Sequence, residues 1–147
     1  MAAKSADPPA NRRFYVDSSA YVCILLGETG SAALAREVEG AQLLSSSLLV
    51  LETRRTLIRL ARERSISTTE FHQASSRLQE DLMHFALRDL TLDLCGDAPM
   101  PIVSTPRSLD LAHLRTALWF HEREPLRRFV STDDAQNQAA RELGLPT

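Results

Sequence analysis

The tightest constraint on the fold lies between Arg12 and Glu28, RRFYVDSSAYVCILLGE, where a short apolar run meets one carboxylate and turns at once into a helical pattern. Phe14, Tyr15 and Val16 carry strand-forming side chains, while Ser18 and Ser19 suit the start of a helix continuing through Ala20 to Leu26. Asp17 stands at the junction. Open α/β sheets bind ligands at such junctions, but an acid there also serves simply to cap a helix.

The same change of period recurs. After the breaks at Gly27 and Gly30, Ser31 to Val38 reads as a short helix ending near Gly40, and Ala41 to Ser45 as a brief strand. Ser45, Ser46 and Ser47 are N-cap candidates for a long helix from Leu48 to Arg64. On it Glu52, Arg55, Arg59 and Arg62 share one stripe, and Val50, Leu57 and Ala61 an inward one. Thr68 and Thr69 precede a helix over about Glu70 to Phe85, with Phe71, Leu78, Leu82 and Phe85 as its apolar face, and Leu87 to Leu94 alternates like a strand. The proline-rich CGDAPMPIVSTPR is an irregular connection. Ser108 is expected to cap a helix over Leu109 to His121, Arg128 to Ser131 to form a last strand, and Thr132 to cap a helix over Asp133 to Leu143. Strands alternating with helices predict a three-layer α/β/α sandwich with a short, mainly parallel central sheet.

Composition narrows the class. A chain of 147 residues, 44% hydrophobic and 24% charged, suits one globular domain, expected over residues 12–147, behind a tail at residues 1–11. The longest apolar run, Tyr21 to Leu26, falls far short of the ~20 residues of a membrane span, and MAAKSADPPAN lacks the apolar core of a signal peptide. No membrane association and a cytoplasmic location are therefore expected. Cys23 and Cys95 lack metal-ligand spacing and read as buried free thiols. The net charge of −2 supplies no global positive field for nucleic acid. Lys4 is the one lysine, however, and arginines cluster at Arg54, Arg55, Arg59, Arg62 and Arg64, whose forks suit either a solvated face or phosphate contact.

Four positions resemble Asp17 in setting. Glu52 follows the second strand, Asp110 opens a helix, and Asp133 and Asp134 follow the last strand. In a parallel sheet these places converge on one edge. Clustered carboxylates repel unless a cation neutralises them, and oxygen-only ligands suit Mg²⁺ or Mn²⁺. Such an ion lowers the pKa of a bound water and offsets charge on a phosphoryl group, the chemistry of phosphodiester hydrolysis. Each acid also has a plainer reading. Asp110 and Asp133 suit a helix dipole, Glu52 could pair with Arg55 or Arg59, and Asp134 suits a solvated first turn. Spacing alone does not choose between the two.

Four segments, FYVDSSAYV, LLVLETRRTLIRLA, RSLDLAHLRTAL and FVSTDDAQNQAARELGL, occur in the order and setting of a known family. From about Phe14 to Leu145 the chain resembles PIN domains, specifically the VapC-type toxin ribonucleases of bacterial toxin–antitoxin pairs. The resemblance implies a catalytic set of Asp17, Glu52, Asp110 and Asp134, supported by Ser19, Thr132 and Asp133. It implies Mg²⁺ or Mn²⁺ held mainly by Asp17 and Asp110, with Asp134 a further ligand and Glu52 acting directly or through water. A metal-activated water then cleaves RNA. Arg55 and Arg59 are the candidate RNA contacts. The implied partners are an RNA substrate, a second copy of the chain, and a VapB-type antitoxin lying between the Tyr21–Leu26 and Thr68–Phe85 helices. Asp133 adds an acid beside Asp134, and Arg115 stands where a small residue is usual after His113-Leu114.

Other readings fit less well. A receiver-like domain needs a site lysine near the last strand, and a haloacid-type phosphatase a second Asp where Ser19 stands. The main alternative is a catalytically inactive PIN-like module binding RNA or protein. His113 is expected to pack or hydrogen-bond within its helix rather than act as a general base, and Trp119 and Phe120 to serve a core or interface.

Overall fold

In the computed structural model, which describes residues 12–96, 101–104 and 107–147, the run RFYV forms strand β1 (Arg13–Val16), buried along its whole length. Strands of parallel sheets are covered on both faces and take such continuous runs. β1 pairs in parallel with β2 (Gln42–Ser46) on one side and with β4 (Arg128–Val130) on the other, and β3 (Phe85–Arg88) pairs in parallel with β2. The order is β3-β2-β1-β4.

The chain steps outward from β1 to β2 and β3, then returns to lay β4 against the free side of β1. The order therefore reverses at β1, and α/β sheets open a crevice at the carboxyl end of such a switch point. Helices α1 (Ser18–Leu26) and α2 (Ser31–Val38) join β1 to β2, and α3 (Leu48–Arg62) and α4 (Thr68–Leu82) join β2 to β3. Between β3 and β4 come α5 (Leu92–Cys95) and α6 (Ser108–Arg123), and α7 (Asp134–Glu142) follows β4.

Two-residue alternation divides the strands between two cores. Phe14, Val16, Leu43 and Val130 pack with Ala20, Tyr21, Leu49 and Leu78 from α1, α3 and α4. Tyr15, Leu44 and Phe129 face the other way, onto Leu114, Ala117 and Phe120 of α6 and Ala139 and Ala140 of α7. The expected α/β/α sandwich is thus present, with all four strands parallel. No helix among the described residues is long and apolar enough to cross a membrane.

Several local expectations are corrected. The helix expected to reach Phe85 ends at Leu82, and Phe85 instead opens β3, pairing with Leu43 and packing edge-on against Tyr21. The strand expected over Leu87 to Leu94 stops at Arg88, and Leu92–Cys95 is a helical turn. β3 can extend only while β2 offers a partner, and β2 turns into α3 just after Ser46, the residue paired with Arg88. On α3 the inward stripe is Leu49, Thr53 and Leu57, with Val50 and Ala61 only half-buried. α6 begins at Ser108 itself, with Arg107 at the N-cap. Asp133, not Thr132, caps α7. Both cysteines are free, Cys23 buried as expected but Cys95 exposed. Phe120 lies in the core beneath half-buried Trp119, whose ring is covered by Arg88 and Arg123. Part of the segment expected to be irregular, residues 97–100 and 105–106, lies outside the described residues, as does the expected tail at residues 1–11.

Candidate active site

Asp17 ends β1 and caps α1. Its Oδ1 accepts from the Ala20 amide at 3.0 Å and from Ser19 Oγ at 2.7 Å, while its own amide donates to the Val130 carbonyl at 3.1 Å. One junction therefore fixes the end of β1, the start of α1 and the end of β4. Ser19 extends the tie, since its Oγ also accepts from the Thr132 amide at 3.0 Å and contacts Ser131 Oγ at 3.1 Å. Ser131 Oγ in turn accepts from the Asp133 amide at 3.1 Å. Asp17 is only 5% exposed. Burial pushes its pKa up, and hydrogen bonding from Ser131, the Ala20 amide and Ser19, with the nearby His113, offsets this only in part.

Glu52 reaches the same end of the sheet from α3. Its Oε1 accepts from His113 Nε2 at 2.7 Å and from Ser18 Oγ at 2.9 Å. Behind it, His113 Nδ1 lies 2.7 Å from the Tyr15 hydroxyl. A carboxylate only accepts, so with a neutral imidazole Nε2 carries the proton and Nδ1 accepts from Tyr15. The result is a directed chain from the core of the sheet to Glu52. His113 is 2% exposed and meets the Tyr15 ring edge-on at 5.9 Å between centroids. It is packed and hydrogen-bonded, but to Tyr15 of β1 and Glu52 of α3 rather than within its own helix as expected. Burial raises the Glu52 pKa, but the hydrogen bonds from His113 and Ser18 outweigh it, leaving the net value lowered and Glu52 ionised near neutral pH.

Asp110 lies in the first turn of α6, three residues before His113. Its carbonyl accepts from Gln136 Nε2 at 2.9 Å, so α7 pins the start of α6. Burial raises its carboxyl pKa first, followed by the charge of Asp133; Glu52 adds to the rise, and Arg107 and His113 oppose it. These carboxylates thus lie within electrostatic reach of one another. Asp133 caps α7, its Oδ1 accepting from the Ala135 and Gln136 amides at 2.9 and 3.3 Å. Asp134 occupies the following helical position and is exposed. The charge of Asp133 reaches Asp110.

The acids form two linked groups. Asp17, Ser19, Ser131 and Asp133 surround the ends of β1 and β4. Glu52 and Asp110 line a pocket of about 430 Å³ together with Arg55, Thr56, Arg107 and Leu109. Ser18, adjacent to Asp17, joins the groups through Glu52, as Asp133 does through Asp110. Among the described residues no three His, Cys, Asp or Glu side chains close into a ready ligand set. Thr132 contributes its amide, its side chain being exposed. Arg59 does not line the pocket and pairs with Glu63 at 2.9 Å.

Sequence reasoning missed the parts played by Tyr15, Ser18, Ser131, Arg107 and Gln136. Gln136 had a usable signal, because it shares a helical stripe with Ala139, Ala140 and Leu143 and so faces inward. Ser18 had none beyond adjacency to Asp17, since its partner lies 34 residues away. Compared with protein-family models and with curated proteins, the chain shows no match.

Proposed function

We propose that this chain is a Mg²⁺- or Mn²⁺-dependent ribonuclease that hydrolyses RNA phosphodiester bonds, a toxin of the VapC type restrained by a VapB-type antitoxin. The observation that carries the reading is that Asp17, Glu52, Asp110 and Asp133, from separate segments, come to one end of a parallel sheet at its switch point, with Glu52 held below its ordinary pKa.

The donor set fits a hard cation. It consists of carboxylate oxygens, and the hydrogen bonds to Glu52 and Asp133 fall on Oε1 and Oδ1, leaving the second oxygen of each without a hydrogen bond among the described residues. Asp17 and Asp110, with the Asp133–Asp134 pair, would hold the ion. A bound Mg²⁺ or Mn²⁺ supplies a water acidic enough to lose its proton near neutral pH and a charge that stabilises the phosphoryl oxygens. Glu52, kept ionised by His113 and Ser18, presents Oε2 as a proton acceptor or an orienting group. Ser19 holds Asp17 against the β4–α7 turn.

The antitoxin draws support from a separate cavity of about 420 Å³ between α1, α2 and α4. Tyr21, Ile24, Val38 and Phe85 give it apolar walls, and Arg77 and Asp81, paired at 2.9 Å, a polar edge. Pairing of two copies draws support from Leu51 and Ile58, exposed seven residues apart on one side of α3.

The test is cleavage of RNA with Mg²⁺ or Mn²⁺, comparing wild type with Asp17→Ala. Cation-dependent cleavage that falls at least ~100-fold in the variant is expected for a group acting on the reacting centre. No cation-dependent, Asp17-dependent cleavage would sink the ribonuclease reading; RNA binding without cleavage would point to the inactive module.

A further inference from the structure

The pocket shared by Glu52 and Asp110 also contains two arginines, Arg55 and Arg107. Each stands three residues from one of the acids, Arg55 after Glu52 on α3 and Arg107 before Asp110 at the start of α6. That spacing places oppositely charged side chains within pairing distance on a helix. Neither pair closes into a salt bridge or hydrogen bond among the described residues. Glu52 is instead turned to His113 and Ser18. The contrast with Arg59 is direct, because Arg59 is engaged by Glu63 one turn further along α3.

Two acids and two uncommitted guanidiniums in one pocket suit a ligand that brings both a cation and an anion. A guanidinium fork binds phosphate through two parallel N–H donors. We propose, building on the ribonuclease reading, that Arg55 and Arg107 form a phosphate clamp that seats the RNA backbone beside the carboxylates, with Arg107 a binding residue in its own right and Arg59 outside the contact. The charges divide the work. The acids carry the cation, the arginines grip a phosphate of the same strand, and the pocket as a whole stays near neutral. A local grip of this kind accounts for nucleic-acid binding by a chain with net charge −2.

The test reads binding apart from cleavage, using a short single-stranded RNA in EDTA over a range of salt, with wild type, Arg55→Gln, Arg107→Gln and Arg59→Gln. Each pocket substitution is expected to weaken binding about tenfold, the scale of one charge-assisted contact. Each also lowers the slope of log affinity against log salt by roughly 0.7, the value for one phosphate contact on a single strand. Arg59→Gln leaves both unchanged. Thermal midpoints close to wild type are expected because all three side chains are exposed. Arg55→Gln and Arg107→Gln variants that bind like Arg59→Gln, or a wild type that does not bind RNA in EDTA, overturn the clamp. If such a wild type still cleaves RNA with Mg²⁺ or Mn²⁺, the ribonuclease reading survives alone. Absence of cleavage by wild type overturns that reading separately.

Discussion

At the scale of single residues, the acids of this site combine two duties that look like alternatives in the sequence. Asp17 caps α1 and is also a buried carboxylate at the end of β1. Asp133 caps α7 and also raises the pKa of Asp110. The plain reading and the chemical one are therefore compatible, because one carboxylate oxygen suffices for a cap. Glu52 depends on others in a way its position does not disclose, through the chain from Tyr15 to His113. Tyr15→Phe deletes the donor to His113 Nδ1 and leaves a buried acceptor unpaired, at an expected cost of about 1–3 kcal/mol in urea unfolding. The same substitution should lower cleavage by loosening Glu52. Unchanged stability and unchanged cleavage would show that the hydroxyl does not hold the imidazole.

At the scale of elements, α4 begins earlier than its pattern predicts, at Thr68 rather than about Glu70, because Ser67 and not Thr68 or Thr69 caps it. Ser67 Oγ accepts from the Glu70 amide at 3.1 Å, and the Glu70 carboxylate accepts from the Ser67 amide at 2.6 Å, a reciprocal capping box. Ser67→Ala should cost about 1 kcal/mol in urea unfolding. The bond from the Ser67 amide, then that from its side chain, lowers the Glu70 pKa. A depressed folded value means that the contribution of Glu70 is present above its unfolded pKa, about 4.3, and is lost as pH falls through the folded value. The stability gap between wild type and Glu70→Ala should therefore be full at neutral pH and shrink in acid; a gap independent of pH would remove the carboxylate from the cap. β3 teaches the opposite lesson. Its alternating residues continue past Arg88, but strand length was set by where β2 ended.

Across the whole molecule, the strand order puts Asp17 at the switch point and brings α3, α6 and α7 to the same end of the sheet. Burying ionised carboxylates there costs stability unless a cation is present. Mn²⁺ or Mg²⁺ is accordingly expected to raise the thermal midpoint of wild type, since a ligand of the folded state stabilises it by mass action. EDTA should reverse the rise and stop cleavage. Asp17→Asn should abolish the cation-induced rise yet melt no lower than wild type in EDTA, because an amide oxygen can still accept from the Ala20 amide without a buried charge. An equal cation response in both proteins would place the ion elsewhere.

The sequence by itself determined the alternation of strand and helix, most of the helix positions and the acids that begin or follow these elements. Hydrophobic period and capping are local, so Phe14 to Leu26 announces its own fold. Only the tertiary structure decided which groups meet. The contacts of His113 with Glu52 and Tyr15 span 61 and 98 residues. The presence of Arg55 and Arg107, rather than Arg59, beside the acids depends on how α3 and α6 approach each other. The reach of Asp133 to Asp110 depends on β4 lying against β1. These relations are set by strand order and side-chain direction across distant segments, and no pattern within a single segment encodes either.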